Sequence, residues 1–141
     1  MFQTSYIELS ESAVKTNIEF IKNFIGAGVT FSSVVKGNAY GHGLKEFTTM
    51  AYANGVRHFS VFDVEEAKIV FDTLGNKVTI LIMGFVADDD LAWVINQAVF
   101  FPVPHPISKQ FSNACSFICS FNEMASRSLV LFSLVSYCAD Q

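Results

Sequence analysis

A lysine that closes a β-rich run, and is followed by a glycine-punctuated polar turn and a helix, can present its amine beside a helix start, where backbone N–H groups gather anions. Lys36 has this setting in the segment Ser33-Val34-Val35-Lys36-Gly37-Asn38-Ala39-Tyr40-Gly41-His42-Gly43. A strand-end lysine taken alone reads as one more solvated charge. The residues around Lys36 make it the first candidate for chemistry. Tyr40 can pack over the strand ends or offer its hydroxyl to an anion, and Val34 reads equally as strand core or as the wall of a pocket. His42 suits a turn-stabilising hydrogen bond between loop and helix, while Gly41 and Gly43 serve backbone geometry and close packing. Of the other histidines, His58 precedes a strand and His105 lies among prolines, and neither has a partner in the sequence that would make it catalytic. Cys115, Cys119 and Cys138 are odd in number and no second Cys or His cluster completes a zinc site, so they read as free, inert thiols.

The elements that must position Lys36 alternate helix with strand. Ser10 can cap a helix running through Asn23, since Ala13, Val14, Ile18, Ile21 and Ile25 recur at helical spacing and Gly26 and Gly28 stop it. Val29 to Lys36 reads as a strand, Leu44 to Asn54 as a helix, and His58 to Phe62 as a second strand. Asp63 suits an N-cap with Glu66 as its capping-box partner, ahead of a stripe of Ala67, Val70, Phe71 and Leu74. The nearly continuous apolar run Val78 to Gly84 predicts a parallel strand covered on both faces, and Asp88 to Gln97 a helix with acids at its positive end. Strands joined by helices, without hairpin signals, give an α/β class with right-handed crossovers, as in a barrel or a doubly wound sheet. Three or four strands fit.

With 141 residues, half of them apolar, the chain can build one ordinary core. Its net charge of −4 is scattered, which excludes a basic face for nucleic acid or a polybasic patch for anionic lipid. The start, Met1 to Leu9, lacks the pattern of a secretory signal, and the apolar run Leu129 to Cys138 is about half of the roughly 20 residues that span a bilayer. A cytoplasmic location is therefore expected.

Val34-Val35-Lys36-Gly37-Asn38-Ala39-Tyr40-Gly41-His42-Gly43 resembles the cofactor-lysine signature of the alanine racemases, apart from Gly37, where many members have alanine. Tyr6-Ile7-Glu8-Leu9 is similar to the family's first strand, Asp63-Val64-Glu65-Glu66-Ala67 to its second barrel helix, and Ile80-Leu81-Ile82-Met83-Gly84 to its third barrel strand. The resemblance implies the N-terminal portion of a TIM-type (β/α)8 barrel, about three to four β/α units over residues 1–101, and a pyridoxal 5'-phosphate enzyme that interconverts L- and D-alanine for peptidoglycan. It implies Lys36 as catalytic base and cofactor anchor, Tyr40 as a donor to the cofactor phosphate, and Val34 as part of the cofactor pocket. It implies a homodimer, whose second base is a tyrosine from the C-terminal domain of the partner subunit. Two alternatives stand beside it. One is a barrel protein of cofactor homeostasis, although such proteins lack the string from Asn38 to Gly43. The other is a non-catalytic domain in which Lys36 is structural.

From Pro102 onward the composition changes. The only charges are Lys109, Glu123, Arg127 and Asp140, and three prolines in five positions follow Phe101. A barrel usually needs about 250 residues, so the chain is expected to be shorter than its fold, with an irregular tail over 102–141, to lack the second base, and to be inactive alone. Ala98-Val99-Phe100-Phe101 is similar to the entry of a fourth barrel strand, after which an aspartate-led helix is due. A shift of reading frame or a mis-joined gene model near residues 97–103 is the expected cause of the break. Reading the encoding DNA in the other two frames is expected to restore acid-led barrel helices; two frames without them would exclude a frameshift.

Overall fold

The computed structural model describes residues 6–101 and the strand 129–132. The elements run α1 (Glu11–Ile25), β1 (Thr30–Val34), the single turn α2 (Lys36–Tyr40), α3 (Leu44–Ala53), β2 (His58–Val61), α4 (Val64–Leu74), β3 (Thr79–Ile82), α5 (Asp88–Asn96) and β4 (Leu129–Phe132). A short 3₁₀ turn, Gly75–Lys77, leads from α4 into β3. All strand pairs are parallel, in the order β3-β2-β1-β4. Beyond β3 the sheet gains one more bridge, Leu81 with Phe100. The cysteines, His105 and the proline-rich run lie outside the described residues.

Helix boundaries follow their chemistry. The Ser10 side chain accepts from Ala13 N–H to start α1, and Gly26, at φ 77°, ends it. Asp63 accepts from Glu66 N–H at 2.9 Å and starts α4, as its sequence predicts. The strands alternate in what they face. Phe31 and Val35, Phe59 and Val61, and Ile80 and Ile82 pack with Val14 and Ile18 of α1, Phe47 and Ala51 of α3, and Ala67 and Val70 of α4. The opposite face of the sheet also buries its side chains, among them Ser32, Val34, Ser60 and Leu81. Burial on both faces is the environment of a parallel sheet in a β/α fold.

Where β2 leaves the sheet beside β3, Gly84 N–H donates to Phe62 O at 2.9 Å. A Cβ at Gly84 would sit 2.5 Å from that carbonyl oxygen, so only glycine allows this approach.

One expectation is corrected. Tyr6 to Leu9 form no strand: the residues are irregular, and Tyr6 and Ile7 are exposed. The side of β1 away from β2, which such a strand would need to join, is taken by β4. His58, for which the sequence gives no catalytic partner, has a structural one. Its Nδ1 lies 2.7 Å from the Ser32 hydroxyl, which lies 2.7 Å from the Ser60 hydroxyl. This polar chain runs across the buried face of β1 and β2.

Burial pushes the His58 imidazole down from 6.5 to about 4, so the ring is neutral in the folded chain at neutral pH. Because the folded pKa is the lower one, the unfolded chain binds the extra proton between pH 6.5 and 4. Stability is then full above pH 6.5 and falls as the pH drops through that window, by up to about 3 kcal/mol. Urea unfolding at a series of pH values checks this: His58→Asn should flatten that slope relative to the parent chain.

Candidate active site

Lys36 is the first residue past the ladder of β1, which Val35 N–H extends by one bond to Ser60 O at 2.8 Å. The Lys36 residue is exposed, and no ion pair or hydrogen bond holds its amine among the described residues. Val34, one residue inside the strand, is buried on the sheet face that carries Ser32 and Ser60, away from the helix-packed core. Tyr40 is 43% exposed and stands at the far end of α2.

The turn between them has the reverse hand. Gly37, Asn38, Ala39 and Tyr40 take φ of 63°, 55°, 54° and 56°, which makes α2 a single left-handed turn. Three of these residues carry a Cβ, and each costs roughly 1–2 kcal/mol in this conformation. Gly37 relieves the first position and Gly41, at φ 90°, the last. The turn is closed internally by Ala39 N–H to Val35 O at 2.8 Å and by Gly41 N–H to Gly37 O at 3.0 Å.

Asn38 ties the turn to its surroundings. Its carbonyl accepts from Gly41 and Gly43 N–H, both at 3.1 Å, and its side-chain oxygen accepts from Leu44 N–H at 2.8 Å, at the start of α3. Its own N–H donates to Glu66 Oε1 at 3.1 Å. The loop-to-helix hydrogen bond expected of His42 is thus made by Asn38. The His42 Nδ1 is buried without a hydrogen-bond partner among the described residues. The sequence signal for Asn38 was available: asparagine tolerates the left-handed region better than other side-chain-bearing residues and caps nearby amides.

The ends of β2 and β3 stand beside this turn. Val61 O accepts from Met83 N–H at 2.8 Å, and Phe62 and Phe85, just past the two strands, are exposed. In a β/α barrel the C-terminal strand ends carry the chemistry, and by that rule Phe62 and Met83 join Lys36 at one face, neither of them singled out from the sequence. A cavity of about 600 Å3 lies at the other end, lined by Lys22, Thr30, Arg57, His58 and Thr79 among others. Lys22 is engaged there by Gly55 O at 2.7 Å, and Arg57 by the carbonyls of Tyr52 and Val56. No group of three or more metal-ligating side chains occurs among the described residues.

The family model described as alanine racemase, N-terminal domain, matches residues 9–106. The chain belongs to that family. It is 35% identical over 91 residues to alanine racemase 1 of Bacillus subtilis, an alignment covering 64% of this chain and 23% of the relative. Among solved structures it is similar to alanine racemase from Oenococcus oeni, at 29% identity and TM-score 0.61, with 68% of this chain and 27% of that one covered. It is likewise similar to the Bartonella henselae enzyme, solved with covalently bound pyridoxal phosphate, at 27% identity and TM-score 0.59, covering 65% and 25%. The chain spans about a quarter of the length of the curated relatives it matches. These relatives are racemases, and the α/β fold with parallel strands matches the N-terminal barrel domain of the family. No helix among the described residues is long and apolar enough to cross a membrane.

Replacing Asn38 with alanine removes the cap on Leu44 N–H and puts a less tolerant residue at φ 55°. Asn38→Ala should lower stability by about 1–2 kcal/mol in denaturant titration, whereas Asn38→Gly, which loses the cap but relaxes the backbone, should lose less.

Proposed function

We propose that this chain is the cofactor-anchoring part of a pyridoxal-phosphate-dependent alanine racemase. The observation that supports this most directly is the unpartnered Lys36 amine, held at the C-terminal end of a buried parallel strand by a rigid reversed turn. Its residues fit the group. Among the described residues no carboxylate pairs with the Lys36 amine, which can condense with an aldehyde, and the part-exposed Tyr40 can donate its hydroxyl to a phosphate. On this reading Lys36 and Tyr40 hold the cofactor and Val34 forms part of its pocket.

When bound, the cofactor supplies an electron sink that makes the Cα–H of alanine acidic. The chain's own contribution is positional. Strand β1 fixes the lysine backbone, so the Nζ approaches substrate Cα from one face only and takes or returns a proton there. The opposite face needs a second base. The family draws it from the C-terminal domain of a partner subunit, so racemisation requires an assembly of two such chains with that domain. The proposed role is cytoplasmic supply of D-alanine for peptidoglycan.

Titration of the purified chain with pyridoxal phosphate should give a yellow absorbance, and borohydride reduction should fix the cofactor to the peptide containing Lys36. Lys36→Ala should abolish both. A colourless protein that ignores added cofactor would overturn the reading and leave Lys36 as a structural residue. Conversion of L- to D-alanine by the chain alone would show that a second base lies within it.

A further inference from the structure

The Glu66 carboxylate does not do what its place in the sequence predicts. Glu66 is the third residue of α4, and in a capping box such a residue reaches back to the N–H of the cap, Asp63. Here the other half of the box forms, with Glu66 N–H donating to Asp63, but the carboxylate passes the cap by one residue. Oε2 accepts from Phe62 N–H at 2.9 Å and Oε1 accepts from Asn38 N–H at 3.1 Å. One side chain thereby ties the end of β2 to the reversed turn that follows Lys36.

The tie falls at the position where the turn most needs support. Asn38 is the first residue of α2 that bears a side chain in the left-handed region, and its N–H is two residues from Lys36. The bonds closing α2 from within, at Ala39 and Gly41, connect neighbours and move with the turn. The Asn38 oxygens anchor the turn toward α3. Glu66 anchors it in the other direction, to the strand beside β1. Both of its bonds have an ionised acceptor, the stronger kind.

We propose that Glu66 is a positioning residue for Lys36: it fixes the turn after the lysine against β2, and so sets where the Lys36 amine and the Tyr40 hydroxyl stand. This rests on the reading of Lys36 as the cofactor anchor. Glu66 itself touches neither substrate nor cofactor. Glutamine at this position keeps one acceptor oxygen and turns an NH2 group toward the second N–H, so Glu66→Gln should lose one bond and Glu66→Ala both.

The test compares Glu66→Ala and Glu66→Gln with Asp63→Ala in the full chain. Asp63→Ala weakens the same helix start but leaves the tie in place, and so controls for a role in α4 alone. Pyridoxal phosphate uptake, read from its yellow absorbance, should weaken about tenfold or more in Glu66→Ala, by an intermediate factor in Glu66→Gln, and little in Asp63→Ala. Independently of any cofactor, amide hydrogen exchange over residues 36–43 should be several-fold faster in Glu66→Ala than in Asp63→Ala. Equal uptake and equal exchange in the two alanine variants would overturn the proposal. If the parent chain takes up no cofactor, the anchor reading fails while the exchange comparison still decides the tie: faster exchange in Glu66→Ala supports it and equal exchange refutes it.

Discussion

The geometry at Lys36 depends on holding four consecutive residues in a backbone conformation that L-amino acids avoid. Three side-chain-bearing residues in the left-handed region cost a few kcal/mol together, which is comparable to a large share of the stability of a small domain. The turn persists because every exit from it is tied. Glycines occupy its two ends, Asn38 bonds to the first residue of α3 through its side-chain oxygen and to Gly41 and Gly43 through its carbonyl, and its N–H bonds to Glu66. Strain of this kind lets a short segment leave a buried strand, reverse, and enter a helix within a few residues. A strand-end lysine then stands on backbone with little freedom to move.

Much of this frame can be read without the structure, because its causes are local. Ser10 and Asp63 cap their helices as expected, since a cap needs only its own next three residues. The run around Ile80 forms a strand because its continuous apolar character suits burial on both faces. Lys36 and the glycines after it are legible as a unit for the same reason: residue types and spacing lie within one short segment.

What could not be read depends on residues far apart in sequence. The Glu66 carboxylate is 28 residues from the Asn38 amide it binds, and no periodicity announces that contact. Ser32 and His58 meet only because β1 and β2 lie side by side, so a histidine that reads as unpartnered sits in a buried hydrogen-bonded chain. Tyr6 to Leu9 have strand-like residues, but the side of β1 away from β2 is taken by β4. The left-handed sense of α2 escaped for another reason. Glycines and an asparagine signal a turn, but its hand is settled by the acceptors that surround it.

The sheet order also has a kinetic side. The first three strands are linked by short crossovers, and each can pair with its predecessor soon after synthesis. Strand β4 then joins the far side of β1, matching Thr30 with Leu129 and Ser33 with Phe132, 99 residues further along the chain. Contacts between such distant segments form late, since the intervening chain must first be brought together. Until then β1 offers an unpaired row of N–H and C=O groups to any passing strand. During that interval β1 is the edge most open to aggregation, and when β4 arrives the outer edge passes from β1 to β4.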